Sequence, residues 1–204
     1  MNPSDPSSVE PLNEEKAEAN WVALAVAGNQ EGWAQLHKLY YTGLWNAVNQ
    51  ILQDEKLSED VVQEAFLKAF RQIHRFRGDS RFSTWIYRIA INQAYDTLRK
   101  RNRRGKWLGL FPLQESEEEN PIEMVVTETS ATAAERSDQR EMLSKAIESL
   151  PADHRAVVEL RLVQGFSTEE TARILKVKKG TVLSRLFYSC QKLKKILKET
   201  YEEL

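Results

Sequence analysis

Apolar positions recur along this chain at three- and four-residue spacing, and no alternating period of two persists anywhere. Trp33, Leu36, Tyr40, Leu44, Val48 and Ile51 form one such stripe, which puts them on one face of a helix with 3.6 residues per turn. Before it, Asn13 is suited to cap a helix that opens on Glu14 and Glu15, and Gly28 to end it. After Ser58 a third stripe runs through Val62, Ala65, Phe66, Ala69, Phe70 and Ile73. Ile86, Ile89, Ala90 and Leu98 give a fourth, within Phe82 to Arg104. Four amphipathic helices suffice for a bundle-sized domain.

The pattern stops from Pro112 to Ser130, where PLQESEEENPIEMVVTETS is acidic and broken by two prolines, the composition of an extended tether. It resumes at Thr132-Ala-Ala-Glu135, a capping box in which hydroxyl and carboxylate satisfy amides of the first turn. Helices are expected over 133–149, 152–164, 168–176 and 181–199, the third opening on a second box, Ser167-Thr-Glu-Glu170. The expected fold is all-α, with two small helical domains joined by an acidic flexible linker. The boundaries read as a disordered N-terminus over 1–12, a first domain over 13–111, a linker over 112–131 and a second domain over 132–204.

Charge sharpens that division. The net charge is −1, yet residues 21–112 hold 14 bases against eight acids, 113–135 hold seven acids and no base, and 136–204 hold 14 bases against ten acids. Two basic blocks separated by an acidic one suggest two modules that meet a polyanion and a connector that does not. No apolar run approaches a membrane span, and the polar, acidic start MNPSDPSSVEPLNEE is unlike a signal peptide, so membrane insertion is not expected and a cytoplasmic location is. Cys190 is the single cysteine and the histidines number three, which leaves no set at metal-ligand spacing. No metal, cofactor or catalytic residue is expected, and no enzyme activity.

In STEETARILKVKKGTVLSRLFYSCQKLKK a short helix, a tight turn at Val177 to Gly180 and a longer helix follow one another. Ala172 allows close crossing, and Val182, Leu186 and Leu193 face inward. This is the helix-turn-helix pattern. Its second helix leaves Thr181, Ser184, Arg185, Tyr188, Lys192 and Lys195 outward, donors and cations suited to a duplex groove and its phosphates. The same spacing also fits a plain αα-corner with solvated lysines. Elsewhere, Arg99, Lys100, Arg101, Arg103, Arg104 and Lys106 place six cations in eight residues, enough for a salt-sensitive phosphate contact. Upstream, Phe76, Phe82, Trp85 and Tyr87 interleave with Arg75, Arg77, Arg81 and Arg88. Rings beside cations let bases of a single strand stack while its backbone is neutralised. For Phe82 and Trp85 a core position and a strand contact both stand open.

VVQEAFLKAFRQIHRFRGDSRFSTWIYRIAINQAYDTLRKRNRR and SLPADHRAVVELRLVQGFSTEETARILKVKKGTVLSRL closely resemble the two conserved domains of extracytoplasmic-function sigma factors, promoter-recognition subunits of bacterial RNA polymerase. The resemblance covers roughly residues 20–104 and 136–198. It implies that Asp60, Gln63 and Glu64 meet the clamp helices of the polymerase β′ subunit. It implies that Phe76, Arg77 and Gly78 belong to a loop receiving a flipped minus-10 base, with Gly78 allowing close approach. Trp85 and Asn92 would wedge open and read the minus-10 strand, while Arg99, Lys100, Arg101, Arg103 and Arg104 would follow upstream duplex phosphates. Lys179, Thr181, Ser184, Arg185, Phe187, Tyr188 and Lys192 would face the minus-35 element. The implied partners are core RNA polymerase, through its β′ clamp helices and β flap, promoter DNA and an anti-sigma factor.

The chain departs from the family's pattern at Leu183, Tyr188 and Cys190, where many members carry arginine, so fewer phosphate or guanine contacts are available there. The acids Glu115, Glu117, Glu118 and Glu119 suit a path toward the RNA exit, or simply a soluble tether. Two other classes fit parts of the sequence. A helix-turn-helix regulator acting without core polymerase explains the second domain but leaves RFRGDSRFSTW without a task. A nucleic-acid enzyme lacks a carboxylate cluster or a nucleophile beside a base.

Overall fold

The computed structural model of the protein describes residues 11–105 and 142–202. The acidic linker, most of the N-terminal segment, Lys106, the side chain of Arg104 and the Thr132–Glu135 box lie outside the described residues. Among those described, every regular element is helical.

Helix α1 spans Pro11–Val26. It starts before Asn13, which therefore does not cap it. Proline suits a helix's first position because its fixed φ is already helical and its missing N–H would have no partner there. Gly28, at φ +85°, follows the helix end as expected. Asn29 caps α2, Gln30–Leu52, its Oδ1 accepting from the Glu31 and Gly32 amides at 2.8 and 3.2 Å. Asp54 caps α3, Glu55–Gln72, by accepting from the Leu57 amide at 3.0 Å. A single 3-10 turn, Ile73–Arg75, and the loop through Gly78 lead into α4, Phe82–Gly105. Leu36, Leu44, Val48 and Ile51 of α2 pack with Val62, Ala65 and Phe66 of α3 and Ile86, Ala90 and Ala94 of α4, all buried. Phe70 departs from the expected stripe. It is 49% exposed, and its ring meets that of Trp33 edge-on with centroids 5.4 Å apart.

Beyond the linker come α5 over 142–148, α6 over Ala152–Val158, a π-helical turn over Glu159–Val163, α7 over Thr168–Leu175 and α8 over Lys179–Glu202. Lys176 takes the left-handed conformation, φ 57°, so the helix-turn-helix corner falls at 176–178. Gly180, expected in the turn, is inside α8. The Ser167 box is formed: the Ser167 hydroxyl accepts from the Glu170 amide at 3.2 Å and the Glu170 carboxylate accepts from the Ser167 amide at 2.9 Å.

The two helical parts pack on each other. Ala156, Leu160, Phe166 and Ile174 join the core of α2, α3 and α4. The Phe166 ring meets Tyr87 of α4 edge-on at 4.8 Å, and the Tyr87 hydroxyl donates to Gln164 Oε1 at 2.6 Å. Gly43 sits under this contact, where a Cβ would lie 2.2 Å from the Tyr87 hydroxyl. Further along, Arg155, buried though charged, reaches the end of α2 and donates to the carbonyls of Gln50, Ile51 and Leu150, and to that of Glu148 at 3.2 Å. The last four carbonyls of a helix have no partner within it. In α2 the Asn49 carbonyl accepts from the amide of the cap residue Gln53, and the other three are met by arginine side chains: Gln50 and Ile51 by Arg155, and Leu52 by Arg101. Both guanidinium groups also face the negative end of the helix dipole.

Candidate nucleic-acid interface

The start of α4 carries an aromatic cluster at the surface of the bundle. Phe82 is buried, and Phe76 and Trp85 lie half-buried against it, with the three ring centroids 5.5–5.6 Å apart. Phe82 is thus a core residue, and Trp85 is both packed and reachable. Arg75, Arg77 and Arg81 surround the cluster and are exposed. Between Phe76 and Phe82 the loop turns at Gly78, φ +76°, where a side chain would be strained although nothing stands within 4 Å of a Cβ built there. The site is therefore open to an approaching planar group. Tyr87, the fourth ring of the sequence pattern, is instead buried between Tyr40 and Phe166. Asn92 is half-buried, and its amide donates to the Arg88 carbonyl at 2.5 Å within its own helix.

The far end of α4 is cationic, but its cations are not equivalent. Arg99 is paired with Asp96 on the same helix. Arg101 donates to the Leu52 carbonyl at 3.0 Å, with Asp54 3.9 Å away, so it caps α2 as well as adding charge. Lys100 and Arg103 are exposed. This division was not legible in a run of like charges.

On the helix-turn-helix, Lys179 pairs with Glu169 at 2.5 Å across the corner. That pairing holds the Glu169 carboxyl below the ordinary range, chiefly through the Lys179 hydrogen bond. Thr181, Ser184 and Phe187 are half-buried, and Tyr188 and Lys192 are exposed, Lys192 donating to the Ser149 carbonyl at 3.2 Å. Arg185 is the exception among the outward set. It pairs with Asp153 of α6 at 2.8 Å. Asp153 also accepts from Tyr95 of α4, whose hydroxyl is pushed far up, first by burial and then by that carboxylate. A chain Tyr95–Asp153–Arg185 thus links the two helical parts.

A second link lies nearer the aromatic cluster. Glu170 of α7 receives the Thr84 hydroxyl at 3.5 Å and has Arg81 4.0 Å away. Burial alone would raise its carboxyl, but the Ser167 hydrogen bonds and the Arg81 and Arg173 charges hold it below the ordinary range. One side of α4 is therefore covered by the helix-turn-helix, while the Phe76–Trp85 side is not.

Residues 36–104 match the profile of Sigma-70 region 2, and residues 140–193 that of Sigma-70, region 4. The RNA polymerase sigma-H factor of Pseudomonas aeruginosa is 32% identical over 176 residues, covering 86% of this chain and 91% of that one. The chain belongs to the sigma-70 family, in its extracytoplasmic-function group. The ECF RNA polymerase sigma-E factor of Escherichia coli K12 is 39% identical over 128 residues, covering 63% of this chain and 67% of its own length. Among solved structures, that of the sigma factor RpoE from Bartonella quintana, determined with the anti-sigma factor NepR, aligns at a TM-score of 0.61 with 26% identity, over 81% of this chain and 96% of that one. The protein is an RNA polymerase sigma factor and not an enzyme. No helix among the described residues is long and apolar enough to cross a membrane.

On this sigma factor, Asp60, Gln63 and Glu64 are exposed on one face of α3. Gln93 of α4 donates to Glu64 at 2.5 Å, which fixes that carboxylate at the lip of a groove between α3 and α4. Leu67 lies on the same face, one turn on, and is 56% exposed. The sequence reading omitted it. The signal was available: a hundred degrees per residue puts Leu67 amid Asp60, Gln63, Glu64 and Arg71, where an apolar side chain has no core to enter.

Proposed function

We propose that this sigma factor divides promoter opening and promoter reading along α4 and α8, with α3 holding core polymerase. In this reading residues 13–111 form the polymerase-binding and minus-10 domain, 112–131 the linker and 132–204 the minus-35 domain. Asp60, Gln63 and Glu64, with Leu67 among them, meet the clamp helices of β′. A minus-10 base leaves the duplex and enters the loop of Phe76, Arg77 and Gly78. Trp85 stacks where the strands part and Asn92 reads the captured strand, while the cations after Leu98 hold the duplex upstream. Base capture offsets an unpairing cost of a few kcal/mol, so no nucleotide hydrolysis is required. The observation that carries the reading is the polarity of one helix: α4 begins at an open aromatic cluster beside a left-handed glycine and ends in cations.

Reading both elements at once requires the two parts to separate. Minus-10 and minus-35 elements are roughly 25 base pairs apart, or about 85 Å at ~3.4 Å per step, whereas α4 and α7 touch through Thr84 and Glu170. Residues 106–141 reach on the order of 120 Å when fully extended, sufficient for that span. Separation also takes Tyr95 of α4 away from Asp153, while the Asp153–Arg185 pair lies within the second domain and moves with it. An anti-sigma factor, the class of partner that NepR is for RpoE, would bind these same faces of this chain and hold it from polymerase. All of this belongs to the cytoplasm.

The phosphate part has a direct test. Replacing Lys100 and Arg103 by glutamine should weaken promoter binding by holoenzyme and reduce the slope of log K against log salt by about one per lost contact. Binding to core polymerase should be unchanged. The same change at Arg99 or Arg101 is less clean, because those residues also serve Asp96 and the end of α2. An unaltered slope in the Lys100/Arg103 variant would return these cations to a solvated face.

A further inference from the structure

α8 carries two large apolar side chains toward solvent: Leu183, 51% exposed, and Tyr188, 37% exposed. Val182, Ser189 and Leu193 face the core. At 100° per residue, Leu183 therefore lies about 100° round the helix from that core face, beside Phe187 and on the opposite side from Thr181. It is one turn inside the helix start at Lys179, in the portion of a recognition helix that meets base edges. One turn before it, Gly180 has nothing within 4 Å of a Cβ built there, so the helix start has clearance for close approach.

Leucine neither pairs with a phosphate nor exchanges a hydrogen bond with a base. The corner that leads into α8 is cationic as well: Lys176, Lys178 and Lys179 are all exposed. The major groove presents one apolar group among its donors and acceptors, the C5-methyl of thymine. We propose that Leu183 reads a thymine methyl in the minus-35 element, so that the promoters this sigma factor selects carry thymine at the position Leu183 faces. The inference rests on the reading that α8 enters the minus-35 groove, and it adds the base class recognised there. Burial of a methyl group against leucine removes about one carbon's worth of apolar surface from water, which corresponds to about fourfold in affinity.

The test uses holoenzyme and a promoter that it transcribes, with each thymine of the minus-35 element replaced in turn by deoxyuridine, which removes only the methyl. Wild-type holoenzyme should lose about fourfold at one such position. Leu183→Ala should bind the unmodified promoter about fourfold less tightly and be indifferent to deoxyuridine at that position. Because Leu183 is exposed, thermal unfolding of the variant should match wild type, and core-polymerase binding measured without DNA should be unchanged. The proposal is overturned if the element lacks thymine, if wild type ignores every deoxyuridine, or if Leu183→Ala retains the full methyl sensitivity. A variant that binds core polymerase poorly would assign Leu183 to a protein contact and overturn it equally. Scrambling the whole minus-35 element without loss of wild-type binding is a different outcome, which refutes the underlying role of α8.

Discussion

Replacing Arg155 by alanine should destabilise the free protein by about 2–4 kcal/mol in a denaturant titration, a large share of a small protein's stability. The side chain is buried and donates to carbonyls on both sides of the junction, two of them at the end of α2. Its removal leaves those oxygens unpartnered where water has poor access, and the α2 dipole loses one of its two facing cations. Arg155→Lys should recover only part of the loss, since an ammonium lacks the fork that reaches several carbonyls together. A second variant reports on the junction from the other side. In an exposed helix Gly→Ala gains about 1 kcal/mol, but at Gly43 the added methyl meets a Tyr87 pinned by Phe166 and Tyr40. Gly43→Ala should therefore destabilise. Stabilisation by the helix-propensity amount, with Arg155→Ala silent, would mean that the two parts stand apart in the free protein.

Asn92→Ala should reduce initiation from a fully duplex promoter by roughly tenfold or more, the effect of losing one well-placed hydrogen bond to a captured strand. A template already mismatched across the minus-10 region should recover much of that loss, because unpairing is no longer demanded. In the free protein the Asn92 amide is spent on the Arg88 carbonyl of its own turn, so its replacement costs the fold little. Trp85→Ala should show the same pattern with a larger loss, and its packing on Phe76 and Phe82 requires a parallel measurement of thermal unfolding. Equal defects on both templates, with folding and polymerase binding intact, would remove α4 from strand opening.

How much of this was legible in the sequence depended on the range of the interaction. The stripe from Trp33 to Ile51 gave α2, and the Ser167 box gave the start of α7, because both are settled within a turn or two of helix. Phe70 was misassigned because a one-residue widening of an apolar stripe looks the same whether or not a neighbour covers it. Asn13 was misassigned because Pro11, a first-turn residue, precedes it. The junction was beyond reach: Tyr87 and Gln164 are 77 positions apart, Arg155 and Gln50 are 105 apart, and neither pair leaves a trace in local periodicity. Arg155 read as another surface charge. For the same reason Arg101 read as one of six equivalent cations, although its position beside the end of α2 gives it a capping task. Gly78, Trp85 and the exposed face of α3 were visible as residues, but only the fold showed that the aromatic cluster is open while Tyr87 is not.

This chain directs core polymerase to promoters rather than binding duplex DNA on its own. The most direct measurement is run-off transcription from fragmented genomic DNA by purified core RNA polymerase, with and without the protein, alongside footprinting of the same fragments by the protein alone. Discrete new start sites should appear that need both components, with stoichiometric association with core polymerase and no specific footprint without it. Protection of a defined duplex site by the protein alone, with no new start site when core polymerase is added, would contradict this function.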